Sequence, residues 1–157
     1  MDILKLVDYD KTLFDLSKKW LSDSELNHLI HAGELPSDED RLAWFESLSK
    51  RTDYLIWGID YGGQHIGVCG LKCIANKQAE YWGYIGEKAF RGKGLGKKLM
   101  KEVINKALEL GLETVWLRVR KYNPRAINLY KIIGFVIDID ESETYHMTLS
   151  IQKNNCK

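Results

Sequence analysis

Between Leu95 and Gly111 apolar residues return with helical spacing. Leu95, Leu99, Val103 and Ala107 form one stripe, joined by Met100, Ile104 and Leu108, with charged side chains between them. This predicts an amphipathic helix ended by Gly111, a residue suited to a left-handed C-terminal position. Elsewhere the period shortens. "YLIWGI", "HIGVCGL", "AEYWGYI", "TVWLRV" and the late "ETYHMTLSI" are rich in branched and aromatic residues and read as strands, as does "ILKLV" near the start. The first two flank the turn "DYGGQ" and predict a hairpin, and the polar break "ANKQ" separates them from the third. "PSDEDRLAWFESLSKR" predicts another helix, with Ser37 as N-cap, Asp40 at the reciprocal position and Leu42, Phe45 and Leu48 facing inward. A last helix is predicted in "NPRAINLYKIIGF", where Asn123 caps, Pro124 takes the first position, Gly134 stops the helix, and Ala126, Leu129, Tyr130 and Ile133 share a stripe.

Composition narrows the class. A chain of 157 residues, 45% hydrophobic and 29% charged, suits one soluble domain over residues 1–157 with a core that needs no disulfide or structural metal. The formal charge of +1 gives no global pull toward nucleic acid or an anionic membrane. Asp2 and Asp8 interrupt the first residues, so no signal peptide is expected, and no run approaches the ~18 apolar residues of a membrane helix. Cys69, Cys73 and Cys156 are odd in number and lack CxxC spacing, which favours reduced thiols and a cytoplasmic home. His65, Cys69 and Cys73 were the one combination to weigh as a zinc site; a fourth ligand is not evident, and no metal is expected.

The chemistry concentrates in "FRGKGLGKK", Phe90 to Lys98, which connects the strand "AEYWGYI" to the long helix and then to "TVWLRV". Strand, helix and strand in this order form a right-handed crossover between parallel strands. The first turn of the crossover helix has unpartnered N–H groups and the positive end of the helix dipole, both of which favour a phosphate. Glycines let a diphosphate approach the backbone closely, and Lys93 and Lys97 add positive charge. The stretch is not a P-loop, because Lys98 follows Gly96–Lys97 where a magnesium-binding hydroxyl is needed. Nor is it a dinucleotide fingerprint: its spacing is G-x-G-x-G, and no acidic residue ends a following strand at the required distance. A glycine-rich turn with solvated lysines is the plain structural alternative.

"RGKGLG" resembles the R/Q-x-x-G-x-G/A signature of the GNAT superfamily of acetyl-CoA-dependent N-acetyltransferases, and "NPRAINLYKIIGF" resembles that family's N-x-x-A-x-x-L-Y-x-x-x-G-F signature. The resemblance covers most of Leu55 to Leu149. It implies an α/β fold with a strongly bent mixed sheet, whose central parallel strands "AEYWGYI" and "TVWLRV" splay apart between flanking helices. The slot so opened would take the pantetheine arm of acetyl-CoA against the backbone of Tyr84, Ile85 and Gly86. Gly92, Lys93, Gly94, Leu95, Gly96 and Lys97 would hold its pyrophosphate, Asn123 would contact the coenzyme, and Tyr130 would reach its sulfur.

Direct acetyl transfer to an amine needs an uncharged amine, a stabilised oxyanion and a proton for the departing thiolate. An alkyl ammonium with a pKa near ~10 must first lose a proton. Glu80, at the start of the strand that leads to the glycine loop, is the first candidate base and His146 the second. The backbone N–H of Ile85 or its neighbour would polarise the thioester, and the Tyr130 hydroxyl would protonate the thiolate. Each residue also has a plain structural reading: Glu80 a solvated strand end, His146 and Tyr130 packed side chains, Asn123 a helix cap.

The acceptor is less legible. "WLSDSEL" and "DRLAWFESL" are similar to the W-x-x-D-x-E and H-L-x-W-F patterns of one GNAT branch, with Arg41 standing where histidine is common. That branch includes ribosomal-protein N-terminal, polyamine and amino-sugar-nucleotide acetyltransferases. The expectation is a small-molecule amine such as an amino-sugar nucleotide, ahead of a peptide N-terminus or a polyamine. Two further classes are open: a non-catalytic acetyl-CoA sensor, and a nucleic-acid binder using Arg91, Lys93, Lys97, Lys98, Lys101, Arg118, Arg120 and Lys121. The net charge disfavours the second, and neither nucleic acid nor membrane is expected as a partner. The family includes dimers, so a homodimer is one of the states that the resemblance allows.

Overall fold

The computed structural model describes residues 3–30 and 34–151. The chain runs through β1 (Leu4–Asp8), α1 (Lys11–Leu21), α2 (Ser24–Ile30), α3 (Asp38–Ser47), β2 (Leu55–Tyr61), β3 (Gln64–Ala75) and β4 (Gln78–Ile85). It continues through α4 (Leu95–Glu109), β5 (Thr114–Arg120), α5 (Pro124–Ile133), β6 (Val136–Asp140) and β7 (Thr144–Ser150). Among the described residues the strands form one seven-stranded mixed sheet in the order β1-β2-β3-β4-β5-β7-β6. Only β4 and β5 run parallel, and α4 carries the crossover between them.

Side chains of a strand alternate between the two faces, and here they divide between two cores. On one face Cys69 and Leu71 of β3, Ala79 and Tyr81 of β4 and Val115 and Leu117 of β5 pack with Leu95, Leu99, Met100, Val103 and Ala107 of α4. On the other face Val68 and Tyr84 pack with Leu13 and Trp20 of α1 and Leu26 of α2. α1 starts at Asp10, whose carboxylate accepts the N–H of Leu13 at 3.1 Å. α3 starts as expected, with Ser37 Oγ accepting the N–H of Asp40 at 3.1 Å.

The inward face of α3 differs from expectation. Leu42 is 43% exposed, whereas Arg41 is 8% exposed. Phe45 stacks on Phe14 of α1 with ring centroids 4.6 Å apart, and Trp44 and Phe45 both meet Tyr9 edge-on. These aromatic contacts turn the helix so that Arg41 faces inward, where its Nη2 donates to Phe14 O at 3.0 Å. α1, α2 and β6 are elements beyond those read from the pattern.

The zinc combination is not assembled. Asp60 takes His65 Nδ1, Cys69 is buried and Cys73 is exposed. Cys156 lies outside the described residues. Among the described residues no cluster of His, Cys, Asp and Glu is placed to hold a metal ion, and no helix is long and apolar enough to cross a membrane.

Candidate active site

β4 and β5 pair only through Gln78↔Thr114, Ala79↔Val115 and Glu80↔Trp116. Beyond Glu80 each stays with its outer neighbour, β4 with β3 as far as Ile85 and β5 with β7 as far as Arg120. The sheet therefore splits at Glu80 and leaves a slot of about 440 Å³. Glu80, Trp82, Tyr84, Asn123 and Tyr130 line it, so the candidate base and the candidate acid share one cavity. Glu80 is 9% exposed and lies in register between Lys72 of β3 and Trp116 of β5. Tyr130 projects from α5 and meets Tyr81 edge-on at 6.5 Å and Phe135 at 5.7 Å. Burial pushes its hydroxyl up to about 12, so it keeps its proton and remains a donor at neutral pH. His146 is not a lining residue of the slot. Its ring stacks on Trp116 at 4.6 Å and its Nδ1 lies 2.6 Å from Asp138 Oδ1.

A second cavity of about 520 Å³ adjoins the glycine loop and is lined by Arg91, Gly92, Gly94, Gly96, Lys97 and Arg125 among others. Asn123 lines both cavities while its Oδ1 accepts the N–H of Ala126 at 3.4 Å, so the cap and the site coincide. Gly92 and Gly94 have φ of 72° and 76°, left-handed values that a side chain would strain. Gly94 is the N-cap of α4 and offers no side-chain acceptor, which leaves the first-turn N–H groups for a ligand. A Cβ on Gly96 would sit 2.5 Å from Leu129 Cδ2, so a larger residue there would push that leucine side chain aside where α4 meets α5. Leu95 turns its side chain into the core and can offer only its backbone. Lys93 is exposed and absent from the lining, whereas Arg125 places Nη1 3.0 Å from where a Cβ on Gly92 would be. Arg91 Nη1 is buried without a hydrogen-bond partner and belongs to the same lining. Free N–H groups at the start of α4, with Lys97 and Arg125 and with Arg91 Nη1, which has only the Glu25 carboxylate at 3.6 Å, suit the diphosphate of a coenzyme.

Arg91 also fixes the end of β4. Its Nε donates to Ile85 O and its Nη2 to Gly86 O, each at 2.9 Å. Gly86 N–H goes to Ile66 O at 2.7 Å, and Tyr84 pairs with Val68 in the same antiparallel register. Alternation along that ladder turns the backbone of Tyr84 and Gly86 toward β3 and that of Ile85 away from it, where Ile85 lines the glycine-loop cavity. Of the three expected backbone contacts, Ile85 is the one whose N–H this alternation directs away from β3. Helix α1 holds this region from the other side. Trp20 Nε1 donates to Glu87 Oε2 at 2.6 Å, and a Cβ on Gly86 would sit 2.2 Å from the Trp20 ring. Asp23 and Glu25 approach Arg91 at 3.5 and 3.6 Å. Thus Trp20, Asp23 and Glu25, the invariant letters of the W-x-x-D-x-E pattern, all grip the β4–α4 connection. Arg91, Arg125 and this grip were not anticipated as site features.

Residues 15–135 match the family described as "Acetyltransferase (GNAT) family". The chain is 27% identical over 144 residues to Acetyltransferase PseH of Campylobacter jejuni, 91% of this chain and 88% of that protein. The crystal structure of that N-acetyltransferase in complex with acetyl coenzyme A aligns with a TM-score of 0.75 at 24% identity, over 94% of this chain and 99% of the other. Spermidine N-acetyltransferase from Vibrio cholerae, in complex with CoA and spermine, aligns with a TM-score of 0.81 at 18% identity, over 94% and 95%. A shorter likeness, 40% identity over 57 residues, links the chain to thialysine N-epsilon-acetyltransferase of Bos taurus; it spans 36% of this chain and 33% of that protein.

Proposed function

The chain belongs to the GNAT family of acetyltransferases, and from that premise we propose that it transfers an acetyl group from acetyl-CoA directly to the primary amine of a small molecule such as an amino-sugar nucleotide. One observation carries this reading: Glu80 and Tyr130 line a single slot that meets the glycine-loop cavity at Asn123. Acetyl-CoA, when bound, supplies the activated acetyl group. The N–H groups at the start of α4, with Arg91, Lys97 and Arg125, hold its diphosphate, and the Ile85 N–H points to where a carbonyl oxygen gains charge. Glu80 takes the proton of the incoming ammonium, directly or through water, at the last β4–β5 pair before the strands part. Tyr130, protonated up to about 12, donates toward the sulfur side of the slot.

The rim selects among amines. Lys72, Arg118 and Arg120 line the slot with Glu80, while from the β6–β7 turn Glu143 pairs with Arg120 at 3.1 Å and Glu141 with Arg118 at 4.0 Å. The cations stand on the inner side of these pairs, which favours an amine that also bears phosphate or carboxylate over a polycation like spermidine. The test is thiol release from acetyl-CoA with an amino-sugar nucleotide, spermidine and a short peptide as acceptors. The amino-sugar nucleotide should exceed the others in kcat/KM by about tenfold or more, a ~1.4 kcal/mol preference. If acetyl-CoA binds and no amine turns over, the chain is a coenzyme-binding module; if spermidine leads, the acceptor reading fails.

A further inference from the structure

A third cavity, of about 430 Å³, lies between α1, α3 and the sheet. It shares Leu21, Trp82 and Tyr84 with the slot at Glu80, so the two spaces are divided only by these side chains. The volume is that of a small-molecule site. Tyr9, Trp44, Trp82 and Tyr84 give it aromatic walls, which suit a planar ring.

Arg41 joins this lining although it is only 8% exposed. Its guanidinium lies 4.4 Å from the centroid of the Phe14 ring and donates to Phe14 O at 3.0 Å. Among the described residues no carboxylate forms an ion pair with it; Asp38 on the same helix is held by Lys18 at 2.6 Å, and Asp40 lies exposed at the cavity's edge. The Arg41 charge helps to lower the Asp38 carboxyl, but that carboxylate is bonded to Lys18, so the buried guanidinium, which cannot shed its charge, lacks a directly paired anion that a ligand would supply. A fork of N–H donors beside aromatic walls matches a phosphate attached to a planar base.

We propose that this chamber binds a nucleoside phosphate, the base against Tyr9, Trp44 and Trp82 and the phosphate on Arg41, as the remote end of the acceptor whose amine reaches Glu80. The inference rests on the acetyl-transfer reading for its purpose but not for its binding chemistry. The chamber is separate from the coenzyme cradle, and the experiment uses that separation. UMP, AMP, uridine, inorganic phosphate and spermidine are titrated calorimetrically into the protein saturated with CoA, which blocks nucleotide binding at the glycine loop.

UMP or AMP should bind once per chain, with uridine and inorganic phosphate at least about tenfold weaker because each keeps only half of the contacts. Arg41→Gln and Trp44→Leu should each weaken nucleotide binding about tenfold or more and leave the CoA titration unchanged. Arg41→Lys, which keeps the charge and loses the fork, should fall between Arg41→Gln and the parent chain and guards against a folding defect in the glutamine variant. Failure of both nucleotides to bind, equal binding by the variants, or tighter binding of spermidine would overturn the proposal. Amine acetylation persisting without nucleotide binding would remove the chamber and leave the transferase. Nucleotide binding without any acetylation would do the reverse.

Discussion

In the proposed reaction Glu80 and Tyr130 would divide the proton traffic by position. Glu80 sits where β4 and β5 part, and Tyr130 faces the same slot from α5 with its hydroxyl raised to about 12. A residue that takes the ammonium proton matters most when the amine is most protonated. Glu80→Gln should therefore lower kcat/KM by roughly 10²-fold near neutral pH, with the deficit shrinking as pH rises toward the amine's own pKa of ~10. Tyr130→Phe should lower kcat about as much, but evenly across that range, because the parent hydroxyl keeps its proton below about 12. Pre-steady-state thiol release across pH separates the two; parallel profiles for both variants would contradict the division of roles. The sequence singled out both residues, Tyr130 through a motif and Glu80 through its place ahead of the glycine loop, and the fold brings them to one slot. Arg91 and Trp20 stand in the quoted patterns, but what they touch was hidden, as was the place of Arg125, because these contacts are not local: Trp20 meets Glu87 67 positions away.

At the scale of elements, helical periodicity announced α4 and α5, and the turn "DYGGQ" between two runs of branched and aromatic residues announced the hairpin of β2 and β3, whose residues are buried on both faces. α1 was hidden, although Leu13, Phe14, Ser17 and Trp20 are its buried residues. Its inward stripe includes a serine, and two lysines precede Trp20, which blurs the apolar signal; Ser17 is satisfied by donating to Leu13 O at 2.7 Å. β6 gives no signal at all, since every residue of "VIDID" is exposed. The connection from β4 to α4 shows what such hidden elements contribute. Arg91 caps the carbonyls of Ile85 and Gly86 while Asp23 and Glu25 neutralise it from the α1–α2 side. Removing it frees two carbonyls and leaves the loop without its tie to the strand. Arg91→Met should destabilise the fold by about 2–4 kcal/mol, from two charge-assisted hydrogen bonds of ~1.5–3 kcal/mol each after partial resolvation. It should also weaken CoA binding about tenfold or more, by loosening the loop that carries Gly92 to Lys97. Urea unfolding and CoA calorimetry measure the two effects, and a stability loss with unchanged CoA affinity would confine Arg91 to a structural role.

Across the whole molecule the sheet separates two layers of unequal strength. The α4 face is continuous from Leu4 to Ile151 and includes the core of β3, β4, β5 and β7. The opposite layer rests on a smaller cluster of buried residues, Leu13, Trp20, Leu26, Val68 and Tyr84, with the aromatic chamber and the slot opening beside them. Local opening follows buried apolar contact, so α1 and α2 should exchange their amide hydrogens faster than α4 in the free protein. Their grip on the β4–α4 connection makes that layer responsive to the coenzyme, because Arg91 lines the cradle and Glu87 precedes it in the same connection, while Trp20, Asp23 and Glu25 hold them. Saturation with CoA should slow exchange at residues 87–97 and also at 20–26, across the cavity from the ligand. Trp20→Phe keeps the aromatic ring over Gly86 and loses the N–H to Glu87. It should retain the first protection and lose much of the second. Equal protection of 20–26 in both proteins would show that ring packing alone couples the layers, and absent protection in the parent chain would show that coenzyme binding leaves the acceptor layer untouched.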